Sequence, residues 1–252
     1  MGDGAKVALI TGSSKGIGHA IALRMAEAGH NIFVTYHEDR RGAEVTAAAV
    51  KERGRESHVV QLDVRSEQSV TSAFNAVDQA YGHLDVLVNN AAKEVSKPID
   101  EATLAEWQTV LQTKLDGAFL CTRASLPLLS KSEAASVIMI STFEGEQPSP
   151  DYPAYGVANA GIDAFVKAMA LYLPKYGARC NAVCPGPVRT PLWGAEYNNE
   201  ELWAELASAN PVGRNPTPED VAEAVAMIAE DTTRMLNGNF IYVNGGNHLR
   251  QA

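Results

Sequence analysis

Apolar residues along this chain fall into two alternating patterns. Short, nearly continuous β-branched runs occupy 7–11, 32–36, 58–62, 86–89, 137–141, 179–183 and 240–243. Between them, near 17–28, 42–53, 67–81, 104–129, 155–173 and 219–229, lie longer stretches with apolar residues three and four apart. The runs predict strands buried on both faces, and the stretches predict amphipathic helices. Strands alternating with helices from end to end predict an α/β fold, a doubly wound parallel sheet of seven strands flanked by helices. No repeat, low-complexity tract or linker breaks the alternation, so residues 1–252 read as a single domain. The Pro/Gly-rich segment from Pro185 leads into a stretch, near 190–212, that reads as a substrate-covering loop.

Two helical stretches carry more detail. In the first, Leu104, Trp107, Leu111, Leu115, Ala118 and Thr122 form one stripe expected to be buried, and Lys114 sits beside it. In the second, Ile162, Phe165, Val166, Met169, Ala170 and Leu173 form a stripe. Ala160, Ala164, Ala168 and Leu171 make another on a different side. A helix apolar on two sides is expected to be covered twice, by its own sheet and by another subunit.

Composition narrows the class. At 46% hydrophobic content a chain of 252 residues has enough apolar material for a large core. No apolar run approaches the ~18–20 residues that cross a membrane. The first one, 7–10, leads into a glycine-rich turn and reads as a strand rather than a signal peptide. Three cysteines imply no disulfide framework and fit a reducing cytoplasm. Cys180 and Cys184 lack a cluster with ligand spacing, so no metal is expected. A formal charge of −9 argues against nucleic acid, whose phosphates require a basic stripe.

Thr11-Gly12-Ser13-Ser14-Lys15-Gly16-Ile17-Gly18 joins the first strand to the first helix. Glycines there let the backbone turn tightly and approach a pyrophosphate, which then meets the N–H groups of a helix start. A dinucleotide is the expected ligand. At the end of the second strand, Val34-Thr35-Tyr36-His37 places no carboxylate where one would hold a ribose 2′-hydroxyl and repel a 2′-phosphate. Lys15, His37, Arg40 and Arg41 lie nearby, so NADP(H) is favoured over NAD(H), with Glu38 as the residue that would reverse the preference.

With that turn in place, the chain resembles the short-chain dehydrogenase/reductase family over nearly its whole length. Asp63-Val64 looks like the family's adenine-contacting pair. Asn89-Asn90-Ala91-Ala92 resembles its NNAG motif, with Ala92 in place of glycine. Pro185, Gly186, Val188 and Thr190 fall in the segment that faces the nicotinamide, and Gly245-Gly246 in the exit turn of the last strand. The resemblance implies a Rossmann-like fold, a homotetramer and a small-molecule carbonyl substrate.

It also implies a tetrad of Asn, Ser, Tyr and Lys. Tyr155 falls on the tyrosine and Thr142 on the serine, but Lys114 stands where the asparagine is expected and Asn159 where the lysine is expected. That trade resembles the ketoreductase domains of modular polyketide synthases. Reduction of a carbonyl needs a hydride and a proton, and a tyrosine of pKa near 10 needs help at neutral pH. A cation ~4 Å away at an effective dielectric of ~20 is worth about 4 kcal/mol, or ~3 pKa units. Lys114 is expected to supply that charge across helices, Asn159 to hold the ribose or a relay water, and Thr142 to bind the substrate oxygen.

The expected activity is NADPH-dependent reduction of a ketone or β-keto group. A catalytically silent NADP(H) sensor, an enoyl reductase and an epimerase are the competing readings. Trp193, Tyr197 and Trp203 suggest a partly apolar substrate. The carboxylates of the segment after Thr142, from Glu144 to Asp151, argue against an acidic carrier or thioester or else form a solvated rim, the reading preferred from sequence.

Overall fold

The computed structural model describes residues 6–249. Residues 1–5 and 250–252, the ends of the expected domain, lie outside the described residues. Strands β1 (Lys6–Ile10), β2 (His30–Tyr36), β3 (Ser57–Gln61), β4 (Val86–Asn89), β5 (Ala135–Ile140), β6 (Ala178–Pro185) and β7 (Phe240–Val243) form one sheet, in the order β3-β2-β1-β4-β5-β6-β7. Every pairing is parallel. The helices are α1 (Gly16–Glu27), α2 (Arg40–Glu52), α3 (Glu67–Tyr81), α4 (Leu104–Leu111), α5 (Gly117–Leu129), α6 (Pro153–Tyr172), α7 (Glu200–Ala209) and α8 (Pro218–Ala229).

Side chains alternate across the pleat, which divides the interior in two. Val7 and Leu9 enter the core under α3, α5 and α6, while Ala8 and Ile10 enter the one under α1, α2 and α8. Covered on both faces, β4, β5 and β6 are buried at every residue, which is why they read as continuous apolar runs. The strand order reverses at β1, and the loops leaving the carboxyl ends of β1, β4, β5 and β6 meet there. A ligand crevice belongs at that switch point.

Two expectations are corrected. The stretch 104–129 is not one regular helix: a π turn, Gln112–Asp116, separates α4 from α5. A π turn inserts one residue and rotates everything upstream by about 100°. Downstream, Ala118 and Thr122 are buried as expected, but upstream Leu104 is 71% exposed and Val110 takes the inner face. The second correction concerns 190–212, which is not a loop. It runs as tight turns across Pro191–Asn198, kinked at Gly194, followed by α7. Trp203 pins α7 down, buried edge-on against Trp193 with ring centroids 5.0 Å apart.

Candidate active site

The turn between β1 and α1 is built for a phosphate. Gly12 and Gly16 adopt φ of 65° and 57°, a region that costs side-chain-bearing residues energy. Ser13 is spent internally, donating to the Ile10 carbonyl at 3.0 Å and accepting from Thr35 N–H at 2.9 Å, while Ser14 and Lys15 stand outward. Gly18 packs so closely under the turn that a β-carbon there would meet Ser13 Cα at 2.8 Å. Helix α1 begins with neither a side-chain cap nor an acidic residue in its first turn. Its leading N–H groups and positive dipole end therefore suit a pyrophosphate.

Neighbouring segments close the cradle. The Asn90 amide donates to the carbonyls of Thr11 at 2.9 Å and Gly12 at 3.0 Å, so this side chain clamps the turn itself. Ala91 lies against Gly12, and Thr190 against Gly16 near Ile17. At the far end Tyr36 is half-buried and His37 exposed. Arg65 grips Asp63 with Nε and Nη2, each at 2.9 Å, and lies 3.5 Å from His37 Nε2. That grip holds the Asp63 carboxyl below its usual range. Val64 turns inward, packed where a β-carbon on Gly117 would meet it at 2.7 Å. These residues fit a nicotinamide dinucleotide.

Thr142 and Tyr155 wall one cavity, together with Ile17, Pro185, Gly186, Val188 and Thr190. Ser141, the neighbouring hydroxyl, is committed to Asp163 at 2.7 Å. Thr142 makes only long contacts of 3.5 Å, with the Pro185 carbonyl and Glu144 N–H, so its hydroxyl is the more available of the two. Asn159 is fully buried one turn beyond Tyr155 and donates Nδ2 to the Tyr155 carbonyl at 2.9 Å. Its Oδ1 is buried without a partner, an acceptor left open for a ligand or water.

Lys114 is buried, and the π turn carries it onto the inner face rather than beside the apolar stripe. Its ammonium donates to the Ile140 carbonyl, behind the cavity wall. Burial lowers its pKa to about 8, against the opposing pull of Cys184 and Asp163. Tyr155 is under different control. Burial pushes its pKa up, the charges of Glu144 and Glu94 push it further, and Asn159 opposes them. The structure thus brings Thr142, Tyr155 and Asn159 together, with the Lys114 charge one layer back.

The family model described as enoyl-(acyl carrier protein) reductase matches residues 12–248. The chain is 35% identical over 242 residues to 3beta-hydroxysteroid dehydrogenase 1 of Eggerthella lenta, covering 96% of this chain and 93% of the relative. It is 32% identical over 244 residues to 3-oxoacyl-[acyl-carrier-protein] reductase FabG of Staphylococcus aureus, covering 97% and 98%. The chain belongs to the short-chain dehydrogenase/reductase family. A solved member, acetoin dehydrogenase YohF from Salmonella typhimurium, superposes with a TM-score of 0.88 at 29% identity, covering 98% of this chain and 97% of that one.

As a short-chain dehydrogenase/reductase the protein is an oxidoreductase acting between CH–OH and C=O groups with a nicotinamide cofactor. Two residues of its site escaped the sequence reading. Arg65 carries no motif of its own, and only its place two residues after Asp63 hinted at a role. Glu94 is the other. Glu144 lies in the segment read as a solvated rim, yet both it and Glu94 line the cavity and are not fully exposed. Of the aromatics assigned to the covering segment, Trp193 lines the cavity, Trp203 is core and Tyr197 lies at the surface.

Proposed function

We propose that the protein reduces a ketone or β-keto group to a secondary alcohol with NADPH, Tyr155 donating the proton. The observation that carries this reading is the single cavity walled both by Thr142 and Tyr155 and by the cradle residues Ile17, Gly186 and Thr190. The reduced nicotinamide supplies the hydride when bound. Thr142 hydrogen-bonds the substrate oxygen and stabilises charge developing on it. Tyr155, its pKa raised by burial and by two carboxylates, stays protonated at neutral pH and so holds the proton to be given, but it is a weak donor until a nearby positive charge lowers that pKa. Asn159 Oδ1 accepts from the relay that reprotonates Tyr155, and Lys114 supplies positive charge from behind Ile140.

Preference for NADPH over NADH is supported by Lys15, Arg40, Arg41 and the His37–Arg65 pair near the expected 2′-phosphate, opposed by Glu38. Assembly as a homotetramer is supported by the second face of α6, where Ala160, Ala164, Ala168 and Leu171 are all exposed in the single chain, and a cytoplasmic location by the three free cysteines. Among the described residues no helix is long and apolar enough to cross a membrane.

A silent NADP(H)-binding protein is the second reading, favoured by the direction of the Lys114 ammonium, toward Ile140 rather than the cavity. Tyr155→Phe separates the two. Under the reductase reading it lowers ketone turnover by about a hundredfold or more while NADPH binding survives. Wild-type protein that binds NADPH and reduces no ketone, with Tyr155→Phe indistinguishable from it, would establish the silent reading. Product analysis separates ketone reduction from enoyl reduction and epimerisation, because the first of these alternatives leaves the carbonyl intact and the second leaves the cofactor unspent.

A further inference from the structure

The cavity that holds Tyr155 is acidic and aromatic. Glu144, in the turn after β5, accepts from the Tyr152 hydroxyl at 3.0 Å through Oε1. Glu94, in the loop after β4, accepts from Ser96 at 2.9 Å through Oε1. Each keeps its second carboxylate oxygen outside those bonds. The two carboxylates act on one another and on Tyr155. Among the described residues that line the cavity, none is Lys, Arg or His, while Phe143, Tyr152, Tyr155 and Trp193 present ring surface. Two like charges in a half-buried pocket are unfavourable without a counter-charge. Since the wall provides none, the pair is neutralised either by a proton or by a positively charged substrate, and an ammonium gains from the rings as well.

We infer that Glu94 and Glu144 are specificity determinants, selecting a carbonyl substrate that carries a protonated amine and rejecting carboxylated or phosphorylated ones. The inference rests on the reading of this cavity as the substrate site. The amine takes no part in the redox step: hydride goes to the carbonyl carbon, the Tyr155 proton to its oxygen, and NADPH leaves as NADP⁺. Its charge also neutralises the carboxylates that hold the Tyr155 pKa up, so binding primes the acid that acts next.

Burial raises the Glu144 pKa to about 7, with Glu94 adding to it and Tyr152 opposing. The groups facing Glu144 are Tyr152 and Tyr155 from α6 and Glu94 from the loop after β4. Its ionised form therefore grows as pH rises through 7, and preference for an amine grows with it.

The test is steady-state reduction with NADPH of matched ketones: 4-(dimethylamino)butan-2-one, its neutral isostere 5-methylhexan-2-one, 4-hydroxybutan-2-one and 4-oxopentanoate. The expected result is a KM about tenfold lower for the amine than for its isostere, with the keto acid the poorest substrate. Glu144→Gln and Glu94→Gln should each collapse that ratio, and the wild-type ratio should rise with pH through 7. Equal KM values, a better hydroxyketone, or a ratio that survives both substitutions overturns the inference while leaving ketone reduction standing. If no ketone is reduced, the reductase reading fails, and calorimetric titration of the amine into NADPH-bound protein decides the matter. Heat that vanishes in Glu144→Gln upholds the inference, and its absence from wild type overturns it.

Discussion

Lys114 makes one hydrogen bond, to the Ile140 carbonyl, and is otherwise surrounded by protein. A buried amine so thinly satisfied is a poor contributor to stability, since desolvation opposes what the bond returns. Its placement therefore points to chemistry. Lys114→Met keeps the volume and removes the charge. We expect turnover to fall by about a hundredfold or more. The denaturation midpoint should hold or rise, as the lost charged bond to Ile140, worth about 1.5–3 kcal/mol, is offset by no longer burying an ammonium. In wild type the rate should decline above about pH 8 as the amine deprotonates, and the methionine variant should lack that limb. Turnover within threefold of wild type would remove Lys114 from the mechanism. Tyr155, Thr142 and Asn159 could be named as candidates, and their closeness anticipated, because a chemical type at a fixed spacing survives in sequence. Glu144 was named only within a carboxylate-bearing segment preferred as a solvated rim, because an acidic residue in a polar segment looks solvated until its neighbours fold over it.

The π turn between α4 and α5 shows what a periodicity can and cannot carry. Stripes in sequence assume a constant 3.6 residues per turn, and one inserted residue breaks the phase without altering composition. Leu104 was misplaced for this reason, and Lys114 was assigned to the flank of a stripe it actually faces with. Just beyond the turn, α5 comes close to the segment after β3 through Gly117, where Val64 leaves no room for a β-carbon. Alanine there would gain about 1 kcal/mol of helix propensity but lose about 1–3 kcal/mol to overpacking of a β-branched neighbour. Gly117→Ala should thus be net destabilising in urea titration. Gly161→Ala, whose new methyl meets only the swinging end of Leu115, should be neutral or stabilising. The reverse order would mean that α5 is free to back away from Val64. Helix α7 was hidden for another reason: its flanks are rich in proline, glycine and asparagine, and the Trp193–Trp203 contact that orders it is tertiary.

Across the whole molecule, the seven strands and their parallel, helix-covered arrangement were readable, because strands buried on both faces leave an unbroken apolar signature, whereas their order is set by pairing between distant segments and was not. Charge balance was not, since it depends on which groups burial reaches. His30, buried among strands with its pKa lowered to about 4, makes the fold less stable as pH falls from 6.5 toward 4, where only the unfolded chain takes up its proton. Glu144, raised to about 7, does the opposite: the fold binds its proton more tightly, so stability falls as pH rises from 4.5 toward 7. Each effect is on the order of 2–3 kcal/mol, and over the shared window they oppose each other. Wild-type stability should owe little slope to this pair between pH 4.5 and 6.5. Glu144→Gln should be more stable than wild type at pH 7 and should lose stability on acidification, as followed by denaturant midpoints. An unchanged profile would place Glu144 in water. The Trp193–Trp203 pair has an optical consequence too. Trp193 stands in the wall of the cavity and Trp203 at the root of α7, two of the three indoles in the chain, close enough to exchange excitation. Ultraviolet emission from this pair overlaps the absorption of a reduced nicotinamide, so the protein carries its own lamp at the mouth of the site, dimming as the cofactor arrives and brightening as its hydride is spent.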